Sequence, residues 1–156
     1  MNKASLKSVG TKNVNFGQNV TVIEPVNIYD CVLGDKVFVG PFVEIQKGVK
    51  VGRNTKVQSH SFICELVTIG ENCFIGHGVM FINDLFSNGG PAQGDESLWS
   101  STIIGDQVSI GSNATILPVD ICNNVVIGAG SVVTKSIVEP GTYAGNPAKK
   151  IKGYTE

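Results

Sequence analysis

The stretch Ile69-Gly70-Glu71-Asn72-Cys73-Phe74-Ile75-Gly76-His77-Gly78-Val79-Met80-Phe81 sets an aliphatic or aromatic residue at every sixth position. Cys73 and Val79, each small or β-branched, stand four places after Ile69 and Ile75. Going backwards, the same step passes through Ile63, Val57, Val51, Ile45, Val39, Leu33, Ile28, Val22 and Phe16. Going forwards, it resumes at Ile104 and runs through Ile110, Ile116, Ile121 and Ile127 to Val133. All 18 positions are apolar, and glycine follows nine of them. Two steps, Ile28 to Leu33 and Ile116 to Ile121, are one residue short, which belongs at a corner. A period of six fits neither an amphipathic helix nor a long alternating strand. It fits a short strand and a turn, repeated, with the glycine easing the backbone near the turn. Hexads of this kind build parallel β-helices. Three hexads make one triangular coil, so the ladder predicts about six coils stacked at roughly 4.8 Å. The first positions fill the prism, and the fifth positions, near the corners, must be small.

The composition agrees. The chain has 156 residues, 12 basic against 13 acidic, for a net charge of −1. Such a balance gives no electrostatic footprint for nucleic acid or an anionic membrane. Charged residues are only 16% and hydrophobic ones 42%, the mark of an ordered chain with few charged faces. The 19 glycines do not fall at every third place, which excludes collagen. No apolar run has the length of a signal peptide or a membrane helix, so cytoplasmic residence is expected. Cys31, Cys64, Cys73 and Cys122 show no CxxC pair and no zinc spacing. They read as reduced thiols, and no metal is expected. A single domain over residues 1–156 follows, with coils at 15–84 and 103–139. Residues 85–102, with Gly89, Gly90, Pro91 and Gly94, read as a loop ejected from the coil, where function concentrates. Residues 140–156 should cap the open edge.

An 18-residue coil stacks side chains by arithmetic. Ser59 falls one coil from His77, with His60 beside them at one corner. Lys47, Glu65 and Asn83 form a second column, and Asp84 follows where the loop leaves. Histidine exchanges protons near working pH. A carboxylate can orient an ammonium group and take its proton. Backbone N–H groups at Gly111 or at Gly128-Ala129-Gly130 can hold an oxyanion. Each residue also has a plain structural role open to it. His60 and His77 suit turns, Asn83 and Asp84 suit the start of a loop, and Glu65 can pair with Lys47. Trp99 can anchor its loop, and Lys135, Lys149 and Lys150 can be ordinary solvated lysines.

The segments Ile127-Gly-Ala-Gly-Ser-Val-Val-Thr134 and Tyr143-Ala-Gly-Asn-Pro-Ala-Lys149 resemble the hexapeptide-repeat acyltransferase superfamily. Gly76-His-Gly-Val-Met-Phe-Ile-Asn-Asp84-Leu-Phe, Gly89-Gly-Pro-Ala-Gln-Gly-Asp95 and Ser97-Leu-Trp99 resemble its nucleotide-sugar N-acetyltransferases. Within these, the resemblance is to the group acting on dTDP-3-amino-3,6-dideoxyhexoses. It implies an all-β, left-handed parallel β-helix, an exception to the usual right-handed crossover. It also implies a homotrimer with active sites between subunits, and acetyl-CoA as donor. The product would be a precursor of surface polysaccharide. On this resemblance Asp84, His77 and His60 are the catalytic candidates. Asn83, Asp84, Glu65, His60 and Trp99 are the candidates for the sugar nucleotide. Gly111, Ala129, Gly130, Lys135, Lys149 and Lys150 are those for acetyl-CoA. A UDP-linked amino sugar and O-acetylation are the competing acceptors, and a structural β-helix subunit is the non-enzymatic alternative. A γ-class carbonic anhydrase needs three histidine ligands, and the chain has two. The N-terminal βαβ domain of some 4-amino-sugar acetyltransferases has no counterpart in the sequence.

Overall fold

The computed structural model describes residues 4–151. Every position of the six-residue ladder lies in a strand of two or three residues. Each strand pairs in parallel with its equivalents in the adjacent coils, as Ile63 does with Ile45 and Phe81 with Ile116. Three flat sheets result. The first face holds Gly10–Lys12, Asn27–Tyr29, Glu44–Ile45, Phe62–Ile63, Met80–Phe81, Thr115–Ile116 and Val132–Val133. The second has six strands, from Asn15–Phe16 to Asp120–Ile121. The third has eight, from Thr21–Val22 through Val125–Ile127 to Gly141–Ala144 and Lys149–Lys150. The chain visits the three faces in turn, which makes an all-β parallel β-helix, and its hand is left. The one helical element among the described residues is the short turn Glu96–Leu98.

From Ile28 to Val133 every ladder side chain is at most 3% exposed. Phe16 is 44% exposed and Val22 half-buried, because the lowest coil is packed from one side only. At the fifth positions the polar side chains Thr55, Ser61 and Ser131 are buried. All three are satisfied. Thr55 Oγ1 donates to the Gly70 carbonyl (2.9 Å), Ser61 Oγ donates to that of Gly76 (2.8 Å), and Ser131 Oγ accepts from the Gly145 amide (3.1 Å).

The glycines after the ladder residues have a different cause from turn freedom. None of the nine has a left-handed φ. They are small because coils touch there: a methyl on Gly52 would sit 2.6 Å from the Gly70 carbonyl carbon. Left-handed backbone occurs two residues later, at Asn19, Asn54, Asn72, Gly78 and Gly130 among others.

The coils begin at Gly10, five residues earlier than expected, since Gly10–Lys12 pairs with Asn27–Tyr29. Thr11 holds the ladder place opposite Ile28 but is polar, which hid that rung from an apolar pattern. Thr102, expected in the loop, is buried and opens the strand Thr102–Ile104. Both short steps fall at the corner between the first and second faces, which is also where the loop leaves. The register of Ile103 with Asp120 and of Ile104 with Ile121 continues past Pro118, so that shortening stays local. At the upper end Gly141–Ala144 adds a parallel rung, and Lys149–Lys150 turns back antiparallel across it, covering the edge.

The four cysteines are free. Burial pushes the thiols of Cys31 and Cys64 up to about 11 and about 12, and that of Cys73 upwards as well. All three stay protonated at neutral pH and are poor nucleophiles. A disulfide reagent at pH 8 is expected to label only half-buried Cys122 in the folded protein and all four cysteines in denaturant. Rapid native labelling of a second thiol would contradict this packing.

Candidate active site

The three corners differ in what they do with their polar groups. The corner between the second and third faces is a closed ladder. Asp35 Oδ1 accepts from the Gln18 amide (2.7 Å), Asp106 Oδ1 from that of Glu71 (2.7 Å) and Asn123 Oδ1 from that of Asp106 (2.8 Å). Arg53 Nε meets Glu71 Oε2 at 2.7 Å, and Asn54 donates to Asn72 at 3.1 Å. These groups bond one another and hold the stack.

The corner between the third and first faces carries both histidines. Pro41, Ser59, His77, Ser112 and Ala129 occupy one place in successive coils. The next place is held by Phe42, His60, Gly78, Asn113 and Gly130, all at φ between 59° and 68°. There Gly78, Asn113 and Gly130 donate their amides to the carbonyls of Ser59 (3.0 Å), His77 (2.8 Å) and Ser112 (2.9 Å). The amides of Ser59, His77, Ser112 and Ala129 take no acceptor among the described residues. A column of free donors therefore climbs this corner at the coil spacing of about 4.8 Å. Of the four residues expected to offer amides, Ala129 does so, while Gly128 gives its N–H to Tyr143 (2.8 Å). Gly111 gives its N–H to Ile127 (2.8 Å) and Gly130 to Ser112.

His77 is exposed, and its Nδ1 lies 2.9 Å from Ser59 Oγ. His60 is exposed too, but its ring packs, tilted, at 4.9 Å on Phe42 of the coil below. A Cβ on Gly78 would strike Asn113 Oδ1, so the carboxamide of Asn113 leans across Gly78, next to His77 in the chain. Ser112 and Asn113 escaped the sequence reading because the loop separates them from His77 and Gly78 by 35 residues rather than 18. Subtracting the loop from the count would have found them.

The corner between the first and second faces stacks Gln46-Lys47, Glu65 and Asn83. Gln46 Oε1 accepts from the Glu65 amide (3.3 Å), and Asn83 Nδ2 donates to the Glu65 carbonyl (3.4 Å). The loop leaves here through a neck closed by an antiparallel bridge between Asp84 and Trp99 and by the Ser100 amide on the Asn83 carbonyl (2.9 Å). Trp99 is half-buried in that neck. Both oxygens of Asp84 are engaged by the loop: Oδ1 accepts from the Phe86 amide (2.9 Å) and Oδ2 from the Ala92 amide (2.7 Å). Asp95 caps the turn Glu96–Leu98, and its bonds from Ser97 hold its carboxyl below the usual carboxylate range. Lys47 pairs with Glu96 of the loop at 3.5 Å, not with Glu65, so the loop folds back down the edge of the prism.

Asp84 is thus the clasp of the loop. Asp84→Ala removes both acceptors and is expected to raise limited-proteolysis cleavage within residues 85–99 by about a hundredfold or more, with little change in Tm. Each amide-to-carboxylate bond is worth about 1.5–3 kcal/mol, spent here on local order. A fall in kcat with an unchanged cleavage rate would instead mark Asp84 as a reacting group.

Lys135 lies at the loop corner of the last coil, away from Ala129. Lys149 and Lys150 are on the cap strand beside Ala144 and Tyr143, and Lys150 is paired with Glu139 at 3.0 Å. Among the described residues no cluster of His, Cys, Asp and Glu could hold a metal ion. The chain therefore gathers His60, His77, Gly111, Ala129 and Gly130 on one corner. It sets Glu65, Asn83, Asp84 and Trp99 on the next, a face-width away. The histidine corner can accept a proton and bond a carbonyl oxygen. The loop corner can wall a polar substrate.

Family models agree with the repeat. The hexapeptide repeat of succinyl-transferase matches residues 66–80 and 101–135, and the bacterial transferase hexapeptide (six repeats) matches residues 30–65. WbbJ of Escherichia coli K12, assigned to O-acetyl transfer in lipopolysaccharide biosynthesis, is 34% identical over 151 residues, spanning 91% of this chain and 72% of its own. The bifunctional protein GlmU of Clostridium perfringens is 36% identical over 127 residues; the match covers 80% of this chain and 25% of that protein. The chain thus spans about a quarter of that relative's length. A perosamine N-acetyltransferase of Caulobacter crescentus, solved with CoA and GDP-perosamine, shares the fold with a TM-score of 0.67 at 18% identity. The match covers 89% of this chain and 57% of that one. The protein belongs to the hexapeptide-repeat transferase family.

Proposed function

We propose that the protein transfers acetyl from acetyl-CoA to a sugar, and that the acceptor is the 3-amino group of a dTDP-linked 3-amino-3,6-dideoxyhexose. The observation that carries acetyl transfer is the histidine corner, where exposed His77 stands in a column of free amides. The neutral amine attacks the thioester carbonyl, and the tetrahedral oxyanion takes hydrogen bonds from an amide of that column, Ser112 or Ala129. The C–S bond breaks and CoA leaves as thiolate, while the proton shed by nitrogen passes to His77. The pantetheine arm lies along the same column, with Lys149 at the top of the prism for its phosphates. The solved perosamine N-acetyltransferase, with its CoA and GDP-linked amino sugar, supports this pairing of substrates by fold.

The sugar-facing groups Glu65, Asn83 and Trp99 sit one face away from His77. A homotrimer of parallel prisms sets the loop corner of one subunit against the histidine corner of the next and completes the site. Asp84 shapes the loop there rather than moving the proton. The free thiols fit a reducing cytoplasm. A second reading, transfer to a sugar hydroxyl, is favoured by the likeness to WbbJ over most of the chain. A thiol-release assay with acetyl-CoA separates the readings, using dTDP- and UDP-linked amino sugars and plain glycans as acceptors. Release with the dTDP-3-amino sugar is the expected result. Release with hydroxyl acceptors alone moves the assignment to O-acetylation, and no release with any acceptor removes the enzymatic reading.

A further inference from the structure

The geometry points to Ser59 as the positioning residue for His77, fixing the ring tautomer so that Nε2 faces the acceptor. This rests on His77 acting as the proton acceptor. Ser59 stands directly beneath His77 in the stack, and its Oγ is 2.9 Å from Nδ1. No other described hydrogen bond reaches either ring nitrogen of His77. The main chains at the same level are tied as well, by the Gly78 amide on the Ser59 carbonyl (3.0 Å) and the Asn113 amide on the His77 carbonyl (2.8 Å). The rung spacing therefore holds hydroxyl and ring in register without any bond between neighbours in sequence.

A neutral imidazole carries one N–H, and the partner of one nitrogen decides the role of the other. For Nε2 to accept a proton, Nδ1 must bear the hydrogen and donate it to Ser59 Oγ. The hydroxyl hydrogen of half-buried Ser59 then turns to solvent. When Nε2 takes the proton from the reacting amine, both nitrogens donate. The Nδ1–H to Oγ bond is kept through the step, so the ring has no need to rotate. His60 has no such partner. Its ring is held by packing on Phe42, and the residue beneath it in the stack bears no hydroxyl.

The chain's two histidines make the test direct. Imidazole nitrogen-15 NMR on the His60→Asn protein reports His77 alone, with no substrate present. The expected spectrum of the neutral ring is the Nδ1–H tautomer, lost towards Nε2–H in Ser59→Ala and retained in Ser59→Thr. In turnover, Ser59→Ala is expected to lower kcat about tenfold with KM for acetyl-CoA unchanged, and Ser59→Thr to restore it. An Nε2–H ring with Ser59 intact, or a spectrum indifferent to Ser59→Ala, overturns the assignment. So does an unchanged kcat in Ser59→Ala. Failure of every acceptor in the thiol-release assay would instead strike the catalytic reading, leaving the tautomer to be decided by the spectra.

Discussion

Replacing His77 by Asn is expected to lower kcat for acetyl transfer by about 10²–10⁴-fold while leaving the protein folded. General-base catalysis is worth that range, and His77 contributes nothing to the core, its ring being exposed at a corner. Where within the range the loss falls reports on the acceptor. A hydroxyl must give up its proton as it attacks, so a sugar alcohol places the loss near the upper end. An amine already neutral attacks unaided and sheds its proton late, which places the loss near the lower end. His60→Asn is the matched control. Asparagine tolerates the left-handed backbone that His60 adopts at φ 64°, so the turn is kept. The ring it removes faces Phe42, so kcat should stay within about threefold of the parent. If His77→Asn turned over at the parent rate, the proton would go to water or to the departing thiolate. If His60→Asn showed the larger loss, the two histidines would have exchanged roles.

The difference between these two histidines marks where sequence reading ends. Both lie at polar turns, and the 18-residue period places both at one corner. Ring direction depends on what occupies the coil beneath: Ser59 under His77, and Phe42 under His60. The ladder from Ile28 to Val133 was legible because burial in a prism one side chain wide leaves an apolar residue at every sixth place. Thr11 was not, because the first rung is half open and tolerates a polar residue. The nine glycines were visible but their cause was not. Coil contact, as between Gly52 and Gly70, is a tertiary restraint with no local signature. Asp84 shows the same limit. An acidic residue at the mouth of a loop suits a catalytic base and a clasp equally, and its sequence neighbours give no sign that the amides of Phe86 and Ala92 bond its two oxygens.

Phe81→Ala is expected to destabilise the protein by about 3–5 kcal/mol, the cost of emptying a large site that cannot collapse. Phe81 is the bulkiest of the fully buried side chains, and it lies in register with Ile116 of the next coil. The rungs above and below are fixed by their own ladders at about 4.8 Å, so neighbouring coils cannot sink into the void. The site is also just before the neck at Asp84, where one strand must carry the stack past an ejected loop. In a solenoid each coil is stabilised chiefly by its neighbours, so a weak middle coil uncouples the lower coils from the upper ones. Against a total stability of about 5–15 kcal/mol, such a loss lowers the midpoint of urea unfolding by about a fifth or more, or splits the transition in two. Phe16→Ala is the control for position. It deletes the same atoms from the same ladder, but Phe16 is 44% exposed on the lowest coil. Its cost should stay below about 1.5 kcal/mol, since less than a full aromatic side chain leaves the core. Equal losses at the two positions would mean that the prism is not packed as a stack of rigid rungs. A large excess at Phe81 would show that the middle coil, which also carries His77, is the one on which the whole prism depends.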